Sequence, residues 1–197
     1  MIKAIVFDCF GVFIEDALLS RIREYNAVDP DGGRQLHSIV QAINRGMLTR
    51  GESIEQMAQI MKVDAGELLA YLDDSVAKND ALIEYVKTLK GQYKLAMLSN
   101  VRGRARLDEL FGVGVLDDLF EVVVASGDVG SVKPEPEIYN LTLTKLGVSA
   151  NESIMIDDLP NYCEGARAVG MHVVQFVDNA QCQRDVVAII DTESQTD

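Results

Sequence analysis

Six polar residues stand where short apolar runs stop, and together they could handle a phosphoryl group. Asp8 follows the run Ala4–Phe7, Ser99 and Asn100 follow 94–98, Lys133 sits within 127–136, and Asp157 and Asp158 follow 153–156. In open α/β sheets, ligands bind beyond the carboxyl ends of the strands, where the strand order reverses. If the strands lie in space as third, second, first, fourth, fifth, that point brings Asp8 beside Asp157 and Asp158. Three carboxylates so close raise one another's pKa unless a cation sits among them. A hard divalent ion with oxygen ligands meets this need, which points to Mg²⁺, and it keeps positions open for phosphate. Ser99, Asn100 and Lys133 then offer a hydroxyl, an amide and an ammonium to the remaining phosphoryl oxygens. Taken singly, each residue also suits a turn or a helix cap. Their joint placement is what argues for chemistry.

Positioning that set takes a parallel sheet. The run Ala4–Phe7 does not alternate with polar residues, as expected of a strand buried on both faces, and Gly11 lets the chain turn behind it. Four more apolar runs, 94–98, 121–125, 153–156 and 173–177, alternate with helical stretches near 82–89, 104–111, 137–146, 161–169 and 181–190. The expected fold class is α/β, a Rossmann-like doubly wound parallel sheet. Between the first strand and this alternation, apolar positions recur at helical spacing. They include Ile22 with Tyr25, Leu36 with Ile39 and Ile43, Ile54 with Met57 and Met61, and Leu68 with Leu72. These predict an inserted α-helical bundle over 16–78, with 1–15 and 79–197 as the core. Asp29-Pro30-Asp31-Gly32-Gly33 reads as the turn that ends the first of these helices, and a frayed polar tail is expected from Thr192.

Charge and cysteine content narrow the function classes. Asp and Glu number 31 against 18 Lys and Arg, a formal net charge of −13, which disfavours nucleic-acid backbones and anionic membrane surfaces. An anionic substrate would then depend on a cation or on a few placed basic groups. Arg45 and Arg50 read as part of a solvated bundle face and are left out of the expected site. Cys9, Cys163 and Cys182 are scattered, which suits reduced thiols in a cytoplasmic protein. Cys9 adjoins Asp8 with no His nearby, so it reads as a small buried residue rather than a nucleophile. The N-terminus shows no basic region before a long apolar stretch, and no run approaches transmembrane length. Oligomeric state is not legible.

Four motifs in chain order resemble those of the haloacid dehalogenase (HAD) superfamily, across nearly the whole length. They are Phe7-Asp8-Cys9-Phe10-Gly11-Val12, Leu98-Ser99-Asn100, Val132-Lys133-Pro134-Glu135 with Ile138-Tyr139, and Ile156-Asp157-Asp158 with Asn161 and Gly165-Ala166. The resemblance implies a Rossmann-like core with residues 16–78 as a helical C1 cap. It implies Asp8 as the nucleophile that forms an aspartyl intermediate, Ser99 holding the transferred phosphoryl, and Lys133 steadying Asp8 and the phosphate. It makes Asp157 and Asp158 the acidic metal site, with Asp8 and the backbone carbonyl of Phe10 as further ligands. Asn161 stands where the family often has another acid. One departure matters: phosphatases of the family usually carry a second aspartate, a general acid, two residues after the nucleophile, and here that residue is Phe10. This opening resembles the sugar-phosphate phosphatase and epoxide-hydrolase-associated branch, and also the dehalogenases.

The expectation is therefore an Mg²⁺-dependent phosphatase acting on a small phosphorylated metabolite. One alternative is displacement at carbon, as in a 2-haloacid dehalogenase, against which the Asp157-Asp158 pair argues. The other is a binding module of the same fold with weakened turnover, for which only Phe10 speaks.

Overall fold

The computed structural model describes residues 1–194. Ala4–Phe7 (β1) is buried along its whole length, which is why its sequence has no polar alternation. It lies at the centre of a five-stranded parallel sheet with Lys94–Ser99 (β2), Val122–Ala125 (β3), Ser153–Asp157 (β4) and His172–Gln175 (β5). The spatial order is β3-β2-β1-β4-β5. Phe7 pairs with Met97 on one side and Ile156 on the other, so Asp8, Ser99 and Asp157 emerge at one edge. The chain steps outward from β1 through β2 to β3 and then returns to the far side of β1, which makes the β1/β4 junction the switch point.

Strand side chains alternate between two apolar layers. Ile5 and Phe7 join Leu82, Val86, Leu107, Phe111, Phe120 and Val186 on one face. Ala4 and Val6 join Ile138, Tyr139, Leu143, Met155 and Ala166 on the other. Four helices intervene between β1 and the rest of the sheet: Ala17–Val28 (α1), Pro30–Asn44 (α2), Arg50–Met61 (α3) and Ala65–Asp74 (α4). They bury a core of their own, built on Ile22, Leu36, Ile54, Met57 and Leu68. The flanking helices of the sheet are Asp80–Leu89 (α5), Arg104–Phe111 (α6), Val115–Leu119 (α7), Ser126–Val129 (α8), Pro136–Leu146 (α9), Pro160–Ala168 (α10) and Asn179–Ser194 (α11).

The segments entering and leaving the four-helix insert are joined to each other. Asn79 N donates to the Phe13 carbonyl at 2.8 Å, Glu15 N approaches the Ala77 carbonyl at 3.4 Å, and Ile14 and Lys78 form an antiparallel bridge. On its other side the insert rests on the core through the Ser126 hydroxyl, which donates to the Asn44 carbonyl and accepts from Val101 N.

Three local expectations change. Asp29-Pro30-Asp31-Gly32-Gly33 is not a turn: Asp29 caps α2, accepting from Gly32 N at 3.0 Å, and Pro30 takes the first helical position. The glycines serve close helix packing, since a Cβ on Gly33 would come within 2.2 Å of Asn26, and one on Gly32 within 2.7 Å of Tyr25. The short helices α7 and α8 lie outside the helical stretches expected from the sequence, because one helical turn leaves no periodicity to detect. The last helix runs through Thr192 to Ser194, and the remainder of the expected tail, 195–197, lies outside the described residues. Among the described residues, no helix is long and apolar enough to cross a membrane.

Candidate active site

Asp8 is the first residue beyond β1, and its backbone N–H still pairs with the Ile156 carbonyl at 2.8 Å. Its Oδ1 accepts from Cys9 N at 2.6 Å and from the Lys133 ammonium at 2.7 Å. The same ammonium lies 2.6 Å from Asp157 Oδ2, and Leu159 N donates to Asp157 Oδ1 at 3.0 Å. Lys133 and Asp157 side chains are fully buried. The cation is thus locked between two strand ends.

The loop that delivers Lys133 is clamped from two sides. The Asn100 side chain accepts from Lys133 N at 2.8 Å and donates to the Lys133 carbonyl at 3.0 Å, so the amide at the end of β2 fixes the loop's position. Asn100 also donates to the Tyr162 hydroxyl at 3.1 Å, and the Lys133 ammonium lies 4.9 Å from the Tyr162 ring centre, within cation–π range. Glu135 supplies the second clamp, with Oε2 accepting from Ser131 Oγ and Val132 N, both at 3.0 Å. Its Oε1 receives Arg45 of the insert at 2.5 Å. Tyr162 has no local sequence signal, because its partner Asn100 is 62 residues away, and the same holds for the contact of Glu135 with Arg45, 90 residues away.

The carboxylates of Asp8, Asp157 and Asp158 each present an oxygen within 4.8 Å of the others. Burial, then the neighbouring Asp157, raises Asp8 well above the usual carboxylate range, in spite of Lys133. Asp158 is pushed up to about 6, again by burial first and Asp157 second. Burial alone would lower the Lys133 pKa, but Asp157 and Asp8 more than reverse this and raise it, so the ammonium stays charged. One ammonium does not balance three acids. Asp158 Oδ1 is buried with no hydrogen-bond partner, as is Ser99 Oγ at the end of β2. Unmatched buried oxygens among crowded carboxylates fit a divalent cation.

Asp158 lies directly over Gly11, where φ is +81° and an added Cβ would come within 2.4 Å of the Asp158 carboxyl. Gly11→Ala is therefore expected to cost at least about 1 kcal/mol for the left-handed backbone. It should also displace Asp158 and weaken divalent-cation binding, as read by calorimetric titration. Unchanged affinity would show that Asp158 is not a ligand.

Phe10 packs on the core and lines the cavity beside Asp8. Asn161 is exposed and is not a helix cap; Leu159 holds that position. Cys9 is buried, and burial and Asp8 raise its thiol pKa, which suits a small buried residue rather than a nucleophile. Arg45 and Arg50 do not sit on a solvated face. Both are half-buried and line a cavity of about 550 Å³ that runs from Asp8 and Lys133 up between core and insert.

The family model for haloacid dehalogenase-like hydrolases matches residues 2–170. Phosphatase MT3486 of Mycobacterium tuberculosis is 34% identical over 94 residues, 48% of this chain and 43% of that protein. The chain spans about half the length of the curated relatives it matches. The HAD family enzyme BT-2542 of Bacteroides thetaiotaomicron, solved with magnesium and inorganic phosphate, superimposes with a TM-score of 0.68 at 21% identity, covering 88% of this chain and 93% of that one. The L-2-haloacid dehalogenase of Xanthobacter autotrophicus, with chloropropionic acid covalently bound, gives 0.61 at 21% identity, covering 95% and 83%. With four motifs converging on one strand edge and the family model spanning most of its length, the chain belongs to the haloacid dehalogenase-like hydrolases.

Proposed function

We propose that the chain hydrolyses phosphate monoesters through an aspartyl phosphate on Asp8, with Mg²⁺ held by Asp8, Asp157, Asp158 and the Phe10 carbonyl. The observation that carries this is the state of Asp8. Its Oδ1 is tied down by Lys133 and Cys9 N, while no hydrogen bond among the described residues engages Oδ2, and the carboxyl faces the cavity. Oδ2 attacks phosphorus, the bond to the leaving oxygen breaks, and that oxygen takes its proton from solvent because Phe10 has none to give. Water then adds at phosphorus, the bond to Asp8 breaks, and phosphate departs. Lys133 and Ser99 offer donors to the phosphoryl oxygens throughout. A divalent cation bound at this cluster supplies positive charge that offsets both the carboxylates and the phosphate.

Displacement of halide at carbon needs the same carboxylate but no gathering of three acids, so the cluster favours phosphorus. The test is release of phosphate from aryl and alkyl esters, with Mg²⁺ and with chelator. Turnover should require Mg²⁺. Aryl esters should exceed alkyl esters by about 10²–10⁴-fold, the usual worth of the proton donor that Phe10 replaces. Full rates in chelator, or halide release from a 2-haloacid, would overturn the reading; a flat leaving-group series would show that another group donates the proton.

The cation should also be visible as a pH effect on stability. Asp158 has its pKa raised from an ordinary 3.8 to about 6, so without metal its ionisation disfavours the folded state. Stability from this group is greatest on the acid side and falls as pH rises towards 6. A bound cation reverses that cost, but below pH 6 the proton competes for the same oxygen. Adding Mg²⁺ should raise the melting temperature at pH 7.5 by several degrees and by much less at pH 5. Equal shifts at both values would contradict Asp158 as a ligand.

A further inference from the structure

The chain carries a net charge of −13, yet the cavity above Asp8 is lined by six Arg or Lys and only four Asp or Glu. Three of these guanidiniums belong to one network across the cleft. Arg50 opens α3 on the insert, Arg102 lies in the loop after Asn100, and Arg106 is on α6 of the core. Two carboxylates hold all three. Asp73 pairs with Arg50 and lies 3.7 Å from Arg106, while Glu109 lies 3.2 Å from Arg102 and 3.0 Å from Arg106. The arginine side chains are 30%, 23% and 18% exposed, their acidic partners 45% and 49%. All three arginines line the cavity, whereas Asp73 and Glu109 are not part of its described wall. The two acids thus offset two of the three charges from outside that wall, and the guanidiniums border the cavity with one positive charge in excess. Each guanidinium has five N–H donors, more than two shared carboxylates can use. The same cavity is also lined by Ile22, Ile54, Met57 and Leu72, apolar groups that strengthen the field inside.

We infer that Arg50, Arg102 and Arg106 form a subsite for a second anionic group on the substrate, so that the preferred substrate is a phosphate monoester carrying a carboxylate or phosphate-type anion at the end remote from Asp8. This rests on the phosphatase reading above. Ion pairs this exposed add little to stability when their only role is to fasten two parts of a fold. The inward bias of the positive partners is the feature a fastening would not require.

The test compares three esters with equally reactive phenols: 4-propylphenyl phosphate, its analogue ending in a carboxylate, and its analogue ending in a phosphonate. Two methylenes insulate each terminal group from the ring. With Mg²⁺ and the full chain, kcat/KM should favour at least one charged ester over the neutral one by about tenfold or more, the worth of a charge-assisted hydrogen bond. The better of the two identifies the anion. Arg50→Gln and Arg106→Gln should each pull that ratio towards one, the loss lying in KM for the charged ester. Asp73→Asn removes a competing negative charge and should leave the ratio equal or larger. Because the readout is a ratio within one preparation, partial unfolding of a variant cancels. Equal kcat/KM for all three esters overturns the inference and leaves the phosphatase reading standing. So does an Asp73→Asn variant that lowers the ratio as the arginine variants do, the mark of a fastening alone. No turnover of any ester overturns the phosphatase reading, and the inference with it.

Discussion

Asp8→Asn is expected to lower phosphate release by at least about 10³-fold, the scale seen when a covalent nucleophile is removed. The fold should survive. The carboxyl is buried and its pKa is raised by that burial and by Asp157, so its charge disfavours the native state. The amide is nearly isosteric and can still accept from Cys9 N, while Lys133 keeps Asp157 as a partner at 2.6 Å. Without divalent cation the variant should therefore melt at the same temperature as the parent or higher. Thermal melts and a discontinuous phosphate assay check both halves. More than a tenth of the parent rate would remove Asp8 as nucleophile, and a collapse in melting temperature would assign it a structural role instead.

The second large effect lies in stability. Lys133 is fully buried between Asp8 and Asp157, and Lys133→Met leaves two buried carboxylates facing each other. Breaking a buried ion pair at one partner costs about 3–5 kcal/mol, because the other charge stays desolvated and unpaired. Urea denaturation at pH 7.5 should show a loss of this size. The native state of the variant should then bind protons more readily than the unfolded chain, so its stability should recover as pH falls from 7 towards 5. Adding Asp8→Asn to Lys133→Met should restore part of the loss at constant pH, since one of the two stranded charges is gone. A loss under about 1 kcal/mol, or no recovery in the double variant, would show that these groups do not share one electrostatic unit.

What could be read from the residues follows from how local each signal is. Asp8, Ser99 and Asp157 were legible because each follows a short apolar run, and a parallel sheet delivers all such ends to one edge. Lys133 was legible as a type in a loop, but what holds it was not: the Asn100 clamp joins residues 33 apart, and the contact from Asn100 to Tyr162 joins residues 62 apart. Arg45 illustrates the same limit. At the end of α2 it resembles any surface arginine, and its contact with Glu135 of the core, 90 residues away, is what ties it to the cleft. Pro30-Asp31-Gly32-Gly33 failed for a different reason. Its composition favours turns, but Asp29 caps the helix and α1 packs so closely that only small side chains fit.

The way the insert is attached has a consequence for how such a chain can diversify. Its entry and exit are stitched together by Asn79 N to the Phe13 carbonyl and by the Ile14–Lys78 bridge, so the chain leaves the core and rejoins it at one place. To the sheet, the four helices are the equivalent of a tight hairpin, whatever their size, and lengthening a closed loop adds only slowly to the entropy of closing it. The bundle, with its own interior, is free to drift in sequence and shape while β1 and Asp8 stay in register with β2 and β4. Selection on what enters the cavity is thereby largely separated from selection on the chemistry at its floor, and a transplanted bundle would need to match the stitch and the few contacts that Asn44 and Arg45 make with Ser126 and Glu135.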